Sequence, residues 1–239
     1  MNPRRIMILL LAVPVLSLLA TAQTLTDSTD PSASVTITPA ARPDLTYIRP
    51  TERTRLVNYF FDTFGPYPIV GAAIAGGINQ VDNTPPEWKQ GAAGFGKRFG
   101  SDFGIAAVTT TTRYGLARAF REDTLYYRCD CKGVFPRLNH AVISTFTGRR
   151  GHDGHRVFSF SALVAPYAGT MTAVYGWYPG RYNAKDGFRM GNYSLLGYVG
   201  GNVALEFLYS GPHSLLNRMH LNNGHGAPDN GAPRPGPNR

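Results

Sequence analysis

The first regular pattern along the chain is an apolar stripe. Leu56, Phe60 and Phe64 recur every fourth position, with Val57 and Phe61 beside them. That period predicts a helix. Thr51, just after Pro50, is placed to cap its start, and Gly65-Pro66-Tyr67-Pro68 to end it. Residues 69–81 (IVGAAIAGGINQV) predict a second helix built on small residues, and Pro85 and Pro86 open a further segment with Glu87 in its first turn. In 94–104 (GFGKRFGSDFG), glycines fall at 96, 100 and 104 and phenylalanines at 95, 99 and 103. On a helix these become neighbouring rows, and Arg98 and Asp102 form an exposed pair four apart. The expectation is a glycine zipper: Gly96, Gly100 and Gly104 let another helix approach backbone to backbone, beside an apolar row. Three interior glycines cost about 2–3 kcal/mol of helix propensity, so packing has to hold this helix together. Ala107, Thr111, Gly115 and Ala119 continue the row.

The pattern then changes. HAVISTFTG (140–148) is rich in β-branched residues, RRGHDGHR (149–156) has turn composition, and VFSFSALV (157–164) begins with alternation. Together they predict a β-hairpin. Residues 166–179 and 190–208 return to small-residue spacing (Gly169/Ala173, Gly197/Gly201) and read as helices. The fold class expected is mainly α: glycine-lined, closely packed helices with a small β-hairpin. An outer-membrane β-barrel is the alternative, because tyrosine and glycine at this density also suit barrel strands.

Four segments follow from composition. Residues 1–22 have the form of a signal peptide: Arg4 and Arg5, an uncharged run from Ile6 to Ala20, and Ala20-Thr21-Ala22 as a cleavage site before Gln23. Residues 23–50 read as a flexible Ser/Thr/Pro linker, 51–210 as the folded core, and 211–239 as a disordered Pro/Gly/Asn tail. Intrinsic disorder of the whole chain is excluded by 43% hydrophobic and 12% aromatic residues. Export implies an oxidising compartment, in the periplasm or the outer membrane and cell envelope.

PPEWKQGAAGFGKRFGSDFG, REDTLYYR, FPRLNHAVISTF and GNYSLLGYVGGNVALEF together resemble a family of bacterial exported envelope proteins with a PPEWxxGxxGFGxRFGSxFG-like motif and no assigned activity. The resemblance spans residues 51–208 and implies an envelope location. It carries no activity to these residues.

The net charge of +9 matters for partners. Arg113, Arg118, Arg121, Arg128, Lys132, Arg137, Arg149, Arg150 and Arg156 concentrate in one stretch, against Glu122, Asp123, Asp130 and Asp153. In an envelope such a positive face meets lipid head groups and lipid-linked phosphates. The partners expected are therefore a membrane surface or other envelope components, not nucleic acid. Thr63 to Val81 and Val157 to Gly180 are uncharged for 19 and 24 residues, which suits spanning, peripheral or buried helices, or barrel strands.

Candidate chemistry is sparse. GAAGFGK (91–97) approaches a P-loop, but Arg98 stands where the Mg²⁺-binding hydroxyl belongs. Cys129 and Cys131 are candidates for a disulfide across one residue. The histidines of His152-Asp153-Gly154-His155 read first as turn residues, and His140, His155 or the cysteine pair supply a second alternative, an enzyme or metal-binding protein. Glu122, Asp123, Glu206 and Asp62 read as surface or cap residues, and His213, His220 and His225 as parts of an unstructured tail. No catalytic, cofactor or metal residues are assigned. The reading is an exported, non-enzymatic, membrane-associated structural or interaction protein.

Overall fold

A computed structural model describes residues 47, 49–129, 131–151, 153–208, 225 and 227–228. These all belong to the unit Arg42–Arg239. The expected signal peptide, the linker up to residue 46 and nearly all of the tail lie outside the described residues.

The fold is mainly α. Six helices are described: α1 (Glu52–Phe64), α2 (Pro66–Val81), α3 (Ala92–Ala119), α4 (Val134–Phe146), α5 (Phe160–Gly176) and α6 (Ala184–Leu208). Thr51 caps α1 by accepting the Thr54 N–H at 3.2 Å. Gly65 donates its N–H to the Phe61 carbonyl and ends α1, and Pro66, which needs no such partner, starts α2. Ser159 caps α5 by accepting the Ala162 N–H at 3.2 Å.

The helices pack as antiparallel neighbours. Tyr59 meets Thr111 and Tyr114, Phe64 meets Phe103, and Gln80 meets Gly91, so α1 and α2 together run back along α3. Gly169 of α5 lies on Ile105 and Thr109 of α3, and Gly187 and Gly191 of α6 lie on Met171 and Tyr167 of α5. Asn202 of α6 reaches Thr145 of α4.

The strands are short: β1 (Glu122–Asp123), β2 (Tyr127–Arg128), β3 (Thr147–Arg150), β4 (His155–Phe158) and β5 (Ala227–Pro228). Antiparallel β1-β3-β4 form one sheet, and parallel β2-β5 another. Neither sheet is closed, so the barrel alternative is overturned. A hairpin forms around the expected turn, but its strands are shorter than residue type suggested. Residues 140–146 and 160–164 are helical, and only 147–150 and 155–158 pair, around Gly151 and Gly154 at positive φ. The β-branched residues of 140–146 lie on a helix whose Ala141 and Thr145 face inward, so tertiary packing outweighs their strand preference.

Burial departs from the usual pattern of soluble domains. The buried apolar residues are mostly small: Ala72, Ala117, Ala141, Ala162, Ala165 and Ala173, with Ile105, Leu125, Val174, Tyr47 and Tyr126. Arg98, Glu122 and Glu206 are among the largest fully buried side chains, at 1%, 1% and 0% exposure. The stripe that defines α1 faces outward, with Leu56, Val57, Phe60 and Phe64 all exposed, while Asn58 and Thr63 of the same helix are buried.

The zipper expectation requires correction. Residues 94–104 are helical, but among the described residues a Cβ at Gly96 or Gly100 would meet nothing within 4 Å, and of the three only Gly104 faces a neighbour, Trp177 at 3.3 Å. The close approaches are made by Gly76, Gly94, Gly169, Gly187 and Gly191. The inward row of α3 is instead Gly94, Arg98, Ser101, Ile105 and Thr109.

Candidate functional site

The charged groups gather at two places. At one, Arg98 enters the connection between α2 and α3. Its Nε donates to the Thr84 carbonyl at 2.9 Å. Nη1 donates to Gln80 Oε1 at 2.6 Å and the Lys89 carbonyl at 2.7 Å, and Nη2 to Asn83 Oδ1 at 3.2 Å and the Pro85 carbonyl at 2.8 Å. All five acceptors are neutral. Arg98 thus organises residues 80–89, where Asn83 and Lys89 hold positive φ, and does not pair with Asp102. Asp102 accepts from Asn79 Nδ2 at 3.1 Å, and burial pushes its carboxyl up to about 6, with that hydrogen bond opposing the shift. The P-loop resemblance ends here as well: residues 92–97 are the first turns of α3, not a loop.

The second place is built on residues 122–129. Glu122 Oε2 accepts the hydroxyls of Ser159 at 2.7 Å and Ser161 at 2.6 Å, and Oε1 pairs with Arg150 at 3.1 Å. Asp123 accepts the hydroxyls of Tyr47 at 2.7 Å and Tyr127 at 2.6 Å and the Leu125 N–H at 3.0 Å. Glu206 Oε2 accepts the Tyr126 hydroxyl at 2.6 Å and the Cys129 N–H at 3.1 Å, and Oε1 pairs with Arg137 at 3.1 Å. Burial, and then Glu206, raise the Tyr126 phenol. Asp62 accepts the Tyr114 hydroxyl at 2.5 Å and lies 3.0 Å from His225 Nε2. Burial alone would raise the Asp62 carboxyl, but His225 and Tyr114 together hold it below the usual range.

Glu122, Asp123 and Glu206 are therefore buried and Asp62 half-buried, not the surface or cap residues expected. His225, expected in an unstructured tail, is 9% exposed and also accepts the Tyr126 N–H at 3.3 Å. The one sequence signal was Glu206 standing alone in an otherwise uncharged run after Arg189: a charge in an apolar helix is kept where it has a partner. Nothing in the local pattern separates Arg98 from Lys97.

The nine basic residues do not share a face. Arg113, Arg137 and Arg150 turn inward, to the Thr124 carbonyl, Glu206 and Glu122. Arg118, Arg121 and Lys132 are exposed and Arg128 is half-buried. Arg149 and Arg156 meet directly across β3 and β4.

Cys129 and Cys131 are bonded to each other, with Cα atoms 5.1 Å apart. Among the described residues no three His, Cys, Asp or Glu side chains could hold one metal ion. Among the described residues, His140 and Ser144 come within 3.2 Å, an arrangement near a serine–histidine pair. The histidine is turned the wrong way for that chemistry. Its Nε2 lies 2.9 Å from the Tyr127 carbonyl, and its Nδ1 faces Arg156 Nη2 at 3.4 Å. A carbonyl requires a proton on Nε2 and a guanidinium requires a lone pair on Nδ1, so Nε2 has no lone pair for the Ser144 proton. His155 pairs with Asp153 at 2.8 Å in the exposed turn. Compared with protein-family models, curated proteins and solved structures, the chain matches none.

Proposed function

We propose that this is an exported, membrane-associated, non-enzymatic structural or interaction protein whose helices contact lipid hydrocarbon along their outward faces. The observation that carries the reading is the inversion of burial. Ile69, Val70, Ile74, Ile78 and Val81 of α2 are exposed, at 45–86%, on a helix without a charge, while Arg98 and Glu206 are enclosed with full sets of partners. In water, large contiguous apolar patches mark sites of protein or membrane contact. In a bilayer, polar and charged groups turn inward and pair, and small residues let helices approach closely.

No described helix is long and apolar enough to cross a membrane. The contact proposed is therefore made by faces and not by wholly apolar spans. The test is fractionation of the expressing cell. Release by detergent and retention through a high-salt wash is the expected result. A protein that stays monodisperse in buffer without detergent, as a monomer or as a soluble oligomer, overturns the reading.

A further inference from the structure

The two tryptophans of the chain, Trp88 and Trp177, both lie at helix ends. Trp88 closes the short turn Pro86–Trp88 between α2 and α3, and Trp177 follows directly on α5. The structure brings them to one end of the helices. The Trp88 ring centroid lies 5.1 Å from that of Tyr178, which lies 5.0 Å from that of Tyr182. Glu87 pairs with Arg181 at 2.6 Å beside them. The α2–α3 and α5–α6 connections, far apart in sequence, therefore join in one aromatic end. Trp177 is fixed by its Nε1, which donates to Ser101 Oγ at 2.8 Å. It is nevertheless 40% exposed, and Tyr175, just before it, is 72% exposed.

Polarity changes along the same direction. α2 and α5 carry no charge, and the apolar face of α2 runs up to this end and stops at Val81, 86% exposed. Three of the four lysines of the chain, Lys89, Lys97 and Lys185, are exposed in or next to the two connections. The acids there are mostly paired, Glu87 with Arg181 and Asp186 with Arg189 at 2.9 Å, while Asp82 is exposed. An indole or a phenol has an apolar body and a polar tip, and is most stable where hydrocarbon gives way to head groups. Lysine lays its stem along apolar surface while its ammonium reaches outward to lipid phosphate.

We propose that this end, residues 82–91 and 177–185, is where the protein docks into the head-group layer of an anionic phospholipid membrane. Trp88, Trp177, Tyr178 and Tyr182 sit at the boundary, the three lysines meet lipid phosphates, and the face of α2 beyond Val81 meets acyl chains. The inference rests on the membrane reading above and gives that contact a direction.

The test uses the purified full-length chain, whose tryptophan emission reports this end alone. The chain is mixed with phosphatidylcholine–phosphatidylglycerol vesicles that carry bromine either near the top or near the end of the acyl chains. Flotation of the same samples measures binding. The expected result is stronger quenching by the shallow bromine than by the deep one, in the unaltered protein and in Trp88→Phe and Trp177→Phe, each of which leaves one reporter. Replacing Lys89, Lys97 and Lys185 together by glutamine should weaken vesicle binding severalfold at low salt. Lys132→Gln, away from this end, should leave it within about twofold. Circular dichroism checks folding, and the unaltered protein carries the quenching test if a variant does not fold. A protein that floats but is quenched by neither bromine, or more strongly by the deep one, overturns the orientation and leaves the membrane reading standing. A triple lysine variant that binds like the unaltered chain also overturns it. A protein that does not float at all overturns the membrane reading, and this inference falls with it.

Discussion

Whether a glycine matters here depends on what a methyl group would touch. At Gly100 it would meet none of the described residues, so Gly100→Ala should raise stability by up to about 1 kcal/mol through helix propensity. At Gly169 it would collide with Thr109 Oγ1 and lie 2.7 Å from the Ile105 carbonyl oxygen. Gly169→Ala should therefore lose about 1–3 kcal/mol through overpacking, despite the same gain in propensity. Chemical denaturation of the two variants in one detergent checks both signs. Gly154 is constrained differently: its φ is +66°, and the Tyr47 ring occupies the space of a side chain.

Elements are held here by buried polar groups at their junctions. The α2–α3 connection depends on Arg98, whose five hydrogen bonds gather carbonyls and amides from residues 80–89. Lysine has three donors on a single atom and cannot reproduce that fork. Arg98→Lys should cost about 2 kcal/mol or more, read as a lowered denaturation midpoint. Asp102, on the same helix, makes the pair α2–α3 sensitive to pH. Its folded pKa of about 6 lies above the ordinary aspartate value of 3.8. The folded state therefore binds more protons than the unfolded state between these values, and stability falls as pH rises from about 4 to about 6. The loss is on the order of 2 kcal/mol and is complete above that window. Asp102→Asn should flatten this slope and stabilise the protein at pH 7. Asp62 has the opposite sign: its lowered carboxyl contributes stability above the ordinary carboxylate range, and that contribution disappears as pH falls through its folded value.

At the scale of the molecule, the exposed apolar surface sets behaviour in water. Ile74 and Ile78 are 59% and 58% exposed on one face of α2. Replacing both by serine should change folded stability by no more than about 1 kcal/mol, since neither fills a core. It should nevertheless lower the fraction that floats with vesicles and raise the fraction soluble without detergent. If flotation is unchanged, α2 does not touch lipid. The same surface explains why small residues make up most of the apolar interior: large side chains point outward, and helix backbones meet through alanine and glycine.

The sequence by itself determined the first three helices. Fourfold spacing, Thr51 and the Gly65-Pro66 break are local signals, and α1, α2 and α3 follow them closely. It also indicated a hairpin near residues 149–156, because glycine and charge there favour a turn. Only the tertiary structure decided which face of each helix is inside. A fourfold repeat gives a row and not its direction: the row of Gly96 and Gly100 faces open space, and that of Arg98, Ser101 and Ile105 faces in. The extent of the hairpin was also settled by packing, since β-branched residues at 142–145 accept a helix once Ala141 and Thr145 find neighbours. The polar interior was least legible. Glu206 meets Arg137 and Tyr126 across 69 and 80 residues, and Asp62 meets His225 across 163. A buried charge is stabilised by its partners, and no local pattern records a partner that distant.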